Sequence, residues 1–287
     1  MAKHRLISKI GRVTLKNPVI AASGTFGYGK QMQEIFDINV LGGFVTKTIT
    51  LKPRKGNKPP RIYDLGFGVI NSIGLENPGL ERFKRDYLES LNHLKTKVFI
   101  SIYGEEFKEW KKLIVSLDKA NIAGFELNFS CPNIKKKPLY FNSKWLYSLI
   151  NRLRPYTKKL LIAKLPFLPN IKEIAVSLKK ANIDALTLIN TIPAIAMDAE
   201  GKPVLGNLIG GLSGPCIKPV ALGCIYEVKK VVSLPIIGCG GIMSYRDALD
   251  FLNLGASAVQ VGTANLINPF ACKKIIEDLK RYYEKKN

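Results

Sequence analysis

The sequence predicts an α/β protein, a (β/α)8 barrel of the TIM type, and three observations carry that expectation. Eight short apolar, β-branched runs alternate with amphipathic helical runs along 287 residues, the pattern of parallel strands buried on both faces and covered by helices. Chemically loaded residues recur just past the ends of nearly every run. A barrel gathers such ends at one mouth, whereas an open doubly wound sheet, the alternative reading, strings them along an edge. No Pro/Gly/Ser-rich linker divides the chain, so residues 1–287 are expected to form a single domain.

Taken in order, the strand-like runs fall at residues 19–22, 43–48, 98–102, 124–129, 160–165, 185–189, 235–238 and 258–261. Each is too short for a helix of ordinary length and is rich in Val, Ile, Leu or Phe, as a buried strand requires. Between them, residues 80–94, 105–119, 144–153, 172–180, 219–232, 246–254 and 270–283 repeat apolar residues at i, i+3 and i+4. That spacing lays an apolar stripe along one side of a helix. Asn170 and Ser244 stand where N-caps are expected, and Gly255 follows a helix end. Residues 51–79 and 191–219 read as irregular stretches rich in Gly, Pro and Asn, long enough to be functional loops.

Composition narrows the class. With 46% hydrophobic and 23% charged residues the chain is globular, not disordered. No apolar run approaches the ~20 residues of a membrane span, and residues 1–12 lack the apolar stretch of a signal peptide, so neither a membrane nor secretion is expected. The 44 Lys and Arg outweigh 22 Asp and Glu, a net +22. Nucleic-acid binding is one reading of that charge. The pairs Lys111-Lys112, Lys158-Lys159, Lys179-Lys180, Lys229-Lys230 and Lys273-Lys274 fall mostly on outer faces of predicted helices, which favours solvated faces and no nucleic-acid partner. The five cysteines, Cys131, Cys216, Cys224, Cys239 and Cys272, contain no CxxC pair. Neither a zinc site, a disulfide framework nor an iron–sulfur cluster is suggested, and a reducing, cytoplasmic compartment fits.

The chemistry concentrates at strand ends. The run Glu126-Leu127-Asn128-Phe129-Ser130-Cys131-Pro132-Asn133 places a thiol just past the fourth strand between two Asn, where it suits a nucleophile or general base better than core packing. His4 and His93, the two histidines, sit at no strand end, so a Cys–His hydrolase is disfavoured. Gly240-Gly241 and Gly262-Thr263 follow the seventh and eighth strands, the usual phosphate position of such barrels. Gly210 to Gly214 forms a third close-approach loop. Lys47 and Lys164 end apolar strands and are expected to aim ammonium groups into the mouth, with no carboxylate near Lys164 in sequence to neutralise it. Asn71, Asn128, Asn133 and Asn190-Thr191 add amides suited to carbonyl and imide edges. Flavin mononucleotide (FMN) satisfies the whole list: a phosphate for the glycine loops and a cation beside the ring.

Several segments carry a family resemblance: Ala22-Ser23-Gly24-Thr25-Phe26-Gly27, Thr46-Lys47-Thr48, Asn71-Ser72-Ile73-Gly74-Leu75 with Asn77-Pro78-Gly79, residues 128–133, Ile189-Asn190-Thr191, residues 210–215 and the two late glycine loops. Together they resemble the dihydroorotate dehydrogenase family, flavoenzymes of pyrimidine synthesis, and within it the class 1B catalytic subunit. The resemblance implies that Cys131 is the base that takes a proton from carbon 5 of dihydroorotate while hydride leaves carbon 6. It implies that Lys47, Asn71, Ser72, Ile73, Gly74, Leu75, Asn128, Asn133, Asn190 and Thr191 hold the substrate. The flavin would be held by Ser23, Lys47, Thr48, Ser101, Asn128, Lys164, Ile189, Gly214, Gly240, Gly241, Gly262 and Thr263. Ser101 stands where family members usually carry Asn, and is expected to reach the flavin through water. A Lys-rich segment, residues 134–140, replaces the usual glycine-containing flap. The resemblance further implies a homodimer joined to an electron-transfer subunit carrying FAD and an iron–sulfur cluster, a heterotetramer passing electrons to NAD. A fumarate-using class 1A enzyme and an FMN-dependent tRNA-dihydrouridine synthase are the alternatives.

Overall fold

The computed structural model describes residues 6–129 and 142–286. Its strands are β1 (Ser8–Ile10), β2 (Val13–Leu15), β3 (Val19–Ala21), β4 (Gly43–Val45), β5 (Ile62–Asp64), β6 (Val69–Asn71), β7 (Lys97–Ile102), β8 (Gly124–Asn128), β9 (Leu160–Leu165), β10 (Ala185–Leu188), β11 (Ile192–Ala194), β12 (Gly210–Ser213), β13 (Ile236–Cys239) and β14 (Ala258–Val261). The helices are α1 (Lys30–Ile35), α2 (Gly79–Asp86), α3 (Leu88–Asn92), α4 (Phe107–Leu117), α5 (Ser143–Leu153), α6 (Ile171–Lys180), α7 (Lys218–Lys229), α8 (Tyr245–Asn253), α9 (Thr263–Ile267) and α10 (Ala271–Lys285).

Eight of these strands close a parallel barrel in the order β3-β4-β7-β8-β9-β10-β13-β14, with β14 pairing back to β3. These are the eight predicted runs. Strand alternation explains the layers inside. On β9, Leu161, Ala163 and Leu165 join the core beneath the helices, while Leu160 and Ile162 join an inner cluster with Ile20, Val45, Phe99, Ala185, Ile237 and Ala258. Two residues further along the strands the same inward positions become polar: Ser101, Glu126, Lys164, Thr187 and Gln260, all buried. A side chain two residues on must face the same side, so an apolar plug sits beneath a polar floor at the C-terminal mouth.

Two β features were not expected from the sequence. The β1–β2 hairpin closes the opposite end, adding Ile10 and Leu15 to the inner cluster. Residues 51–79 and 191–219, expected to be irregular, instead contribute a four-stranded antiparallel sheet, β11-β12-β6-β5, in which Asn71 pairs with both Ile62 and Gly211. Strands of three or four residues carrying Gly, Asn and Pro have little local preference, and only the non-local pairing makes them extended.

The seven predicted helical runs are helical, with two corrections, and the short helices α1 and α9 were not expected. The run at 80–94 breaks into α2 and α3 at Tyr87, whose φ of −130° leaves the helical range and whose ring lies 4.5 Å from that of Tyr28. Asn170 precedes α6 but makes no side-chain cap bond. Ser244 caps α8 in a reciprocal capping box with Asp247, and Gly255 takes the left-handed φ of +93° after it. The lysine pairs are all exposed or half-exposed, as solvated faces require. Among the described residues no helix is long and apolar enough to cross a membrane.

Candidate active site

Above the polar floor the mouth opens into a cleft with two lobes. Ser23, Gly24, Asn71, Ile73, Lys164, Asn190 and Thr191 line both of them. The first lobe, about 300 Å³, is completed by Lys47, Thr48, residues 72–76, Asn128 and Gly210-Gly211. The second, about 200 Å³, runs over Ile189, Cys239 and Ser213 to Gly240, Gly241, Gly262 and Thr263. Residues expected at the site from seven different barrel strand ends therefore come together. Cys131 and Asn133 lie outside the described residues.

Two expected flavin contacts stand back from the wall. Ser101 is fully buried, shares a 2.8 Å hydrogen bond with the Thr48 hydroxyl and accepts none of the cleft's space; its amide donates to Thr46 Oγ1 at 3.1 Å. It orients Thr48, to which Asn128 Nδ2 also donates at 3.1 Å. Gly214 lines neither lobe. Its carbonyl lies 2.9 Å from where a Cβ on Gly241 would be, so it supports the glycine loop from behind.

Local geometry explains the glycines at the second lobe. Gly240 and Gly241 have φ of +123° and +71°, which L side chains rarely adopt. At Gly24, φ +89°, a Cβ would meet nothing within 4 Å, so bare backbone faces the cleft. Thr263 donates to Ser213 Oγ at 2.8 Å, tying the eighth-strand loop to β12. In the first lobe, Asn77 holds the turn by donating to Leu75 O at 2.7 Å and Thr50 Oγ1 at 2.8 Å, with Leu75 itself at φ +55°.

The electrostatics correct one expectation. Lys164 is not a cation without a counterion: Glu126 Oε1 lies 3.7 Å from its Nζ, which also donates to Gln260 Oε1 at 3.0 Å. Burial alone would lower its pKa, but Glu126 above all outweighs this, and the ammonium form is stabilised. Adjacent strands bring the pair together across 38 positions of sequence, since Asn128 is in register with Lys164. Lys47 pairs with Glu76 at 3.3 Å, and the two cations Lys47 and Arg61 hold the Glu76 carboxyl below its ordinary range. Burial pushes the Cys239 thiol upward, so this cleft cysteine stays protonated and is no base near neutral pH. His93 is exposed at the end of α3. Among the described residues no group of His, Cys, Asp and Glu could hold a metal ion.

Glu76, Glu126, Gln260 and Arg61 were not anticipated from sequence. For Glu126 and Gln260 the signal was there: each lies at an inward position by strand alternation, Glu126 two before Asn128 and Gln260 two after Ala258. The donor set fits FMN. Positive-φ glycines and the Thr263 turn offer backbone N–H groups to a phosphate, and Lys164 with the Asn residues offers oriented donors to a planar ring.

Fold and site together define a β/α-barrel enzyme with its chemistry gathered at the C-terminal mouth. The family model for dihydroorotate dehydrogenase matches residues 5–282, and the chain belongs to that family. It is similar to the protein named dihydroorotate dehydrogenase B (NAD(+)), catalytic subunit, of Petrotoga mobilis, 47% identical over 280 residues covering 96% of this chain and 93% of that protein. The proteins of the same name from Thermodesulfovibrio yellowstonii and Geotalea uraniireducens are 46% and 42% identical, over 97% and 99% of this chain and 94% and 95% of theirs.

Proposed function

We propose that residues 1–287 form one FMN-binding barrel domain, the catalytic subunit of a class 1B dihydroorotate dehydrogenase, oxidising dihydroorotate to orotate in pyrimidine synthesis. The observation that carries this reading is near-full-length similarity to NAD-linked catalytic subunits in a chain whose cleft has two lobes sharing one wall. That similarity favours the NAD-linked enzyme over the fumarate-using and RNA-reducing alternatives.

The residues divide the work. Gly240, Gly241, Gly262 and Thr263 hold the phosphate, while Ser23, Thr48, Asn128, Lys164 and Ile189 hold the ring. Lys47, Asn71, Asn133, Asn190, Thr191 and the turn 72–75 hold the substrate ring and its carboxylate. When bound, FMN supplies the hydride acceptor for carbon 6. Cys131 takes the proton from carbon 5 as the C5–H bond breaks, and the new C5=C6 double bond completes orotate. A thiol suits this step because its reference pKa of about 8.5 leaves thiolate available near neutral pH.

Electrons then leave for a partner. The chain has no GxGxxG after an early strand and so no dinucleotide fingerprint for NAD. We assign NAD reduction to a second subunit carrying FAD and an iron–sulfur cluster, bound to a homodimer of this chain as a heterotetramer in the cytoplasm. The free thiols Cys216, Cys224, Cys239 and Cys272 suit that compartment. The test is anaerobic reduction by dihydroorotate of the purified, flavin-loaded chain, followed by separate additions of NAD, fumarate and the partner subunit. Flavin bleaching, with NADH formed only after the partner is added, is expected. Rapid NADH formation by the chain alone, or strong fumarate turnover without a partner, would overturn the two-subunit assignment.

A further inference from the structure

Beneath the cleft, Glu126, Thr187 and Gln260 form a buried polar cluster that lines neither lobe and is joined to Lys164, which lines both. Glu126 is fully buried. Its Oε2 accepts from Thr187 Oγ1 at 3.1 Å and from Gln260 Nε2. Its Oε1 makes no hydrogen bond among the described residues, and what faces it is the Lys164 ammonium at 3.7 Å. Gln260 ties the arrangement together, donating to Glu126 through its nitrogen and accepting from Lys164 through its oxygen. Of the groups in this cluster, Lys164 alone reaches both lobes.

Packing does not require these residues. The layer two residues below is filled by Val, Ile, Phe, Leu and Ala, so hydrocarbon packs this barrel well. A buried ion pair is at best weakly stabilising against apolar residues of similar volume. Removing Glu126 alone takes away the carboxylate that faces a buried ammonium, which favours the neutral amine.

We infer that Glu126 is a positioning residue: from beneath the cleft, with Gln260 as its brace, it holds the Lys164 ammonium charged and aimed at the flavin ring. The inference rests on the proposed function for its cofactor. A fixed cation there favours the reduced, anionic flavin, so the charge state of Lys164 reaches the flavin potential. Glu126 raises the Lys164 pKa against the lowering effect of burial. Among the described residues, the groups beside Lys164 include the Cys239 thiol on β13, protonated near neutral pH, and the neutral side chains of Gln260 and of the lysine's register partners, Thr187 and Asn128. Lys47 on the cleft wall is paired with Glu76. In Glu126→Gln the negative charge is gone, and burial, which lowers the Lys164 pKa, is no longer opposed by it.

The experiment measures the midpoint potential of bound FMN against pH, with FMN affinity, in wild type, Glu126→Gln, Glu126→Asp and Lys164→Ala. In Glu126→Gln the potential should fall relative to wild type, with an added break in its pH profile as Lys164 loses its proton. FMN affinity should drop about tenfold, the effect of one charge-assisted hydrogen bond. Glu126→Asp, which keeps the charge, should restore the wild-type profile; a collapse of folding in Glu126→Gln alone leaves the decision to the Asp variant, whose profile must then show no break. Lys164→Ala should lower the potential without any break. If Lys164→Ala shifts the potential while Glu126→Gln keeps the wild-type value and profile, Glu126 is no positioning residue. If Lys164→Ala changes nothing, or wild type binds no FMN, the cofactor assignment fails instead.

Discussion

Lys47 Nζ lies 3.3 Å from Glu76 Oε2, and the same oxygen lies 3.1 Å from Arg61. The cation assigned to the substrate carboxylate is thus held by the chain's own carboxylate at the rim of the first lobe. An incoming anion competes with Glu76 for the Lys47 ammonium. Glu76→Gln should lower the KM for dihydroorotate about two- to fivefold with little change in kcat, because an exposed pair is worth less than about 1 kcal/mol. Steady-state kinetics at low and high salt check this, and an unchanged KM would show that Glu76 does not compete.

Cys131 carries the proposed proton transfer. Cys131→Ala should retain FMN but reduce it about 10²–10⁴-fold more slowly. Cys131→Ser should recover only at high pH, since a hydroxyl is a much weaker acid than a thiol. Stopped-flow reduction of the bound flavin by dihydroorotate reads both, and a wild-type rate in the Ala variant would remove Cys131 from the reaction.

Gly241 has the most constrained position of the glycine loop. At its φ of +71°, a Cβ would stand 2.6 Å from Lys218 Cβ and 2.9 Å from Gly214 O. Gly241→Ala should cost about 1–3 kcal/mol in strain and lose FMN on gel filtration, whereas Gly223→Ala, on α7 with nothing within 4 Å of its Cβ, should lose neither. Flavin content and thermal melts distinguish the two outcomes.

Asp247 links that loop to acid stability. Burial raises its pKa, but Lys218 at 2.5 Å, the Ser244 hydroxyl and the Met243 N–H together hold it below the ordinary carboxylate range. A carboxyl lowered on folding contributes stability above its unfolded pKa and loses it as pH falls through the folded value. Asp247→Asn should therefore melt several degrees lower at about pH 7, with the cap bond worth about 1 kcal/mol, and the gap should be narrower near pH 3. Calorimetric melts at both pH values test it; an equal gap at the two would show that the charge plays no part.

The barrel is legible in the sequence because strands such as 160–165 are continuous apolar runs and helices such as 144–153 carry a clear stripe. What stays hidden is set by pairing between distant segments. The β1–β2 hairpin has three residues per strand, and its inward Ile10 and Leu15 resemble any pair of apolar residues. The candidate site is legible where a polar residue ends an apolar strand, as at Lys47, Asn128 and Lys164. The counterion of Lys164 is not, because it comes from the neighbouring strand by register and not from nearby sequence. Ser101 shows the converse: strand-end position alone did not separate a cleft residue from one that supports Thr48.

In the barrel's circular order β4 and β10 stand four places apart out of eight, on opposite sides of the ring. The segment after β4 supplies β6, the segment after β10 supplies β12, and these two strands are hydrogen-bonded. The rim is therefore stapled across its diameter. Its two halves cannot part like a jaw without breaking the β6–β12 ladder, and whatever enters or leaves the mouth must pass around an edge of the staple: one edge beside the glycine loops that follow β13 and β14, the other beside β7, β8 and β9.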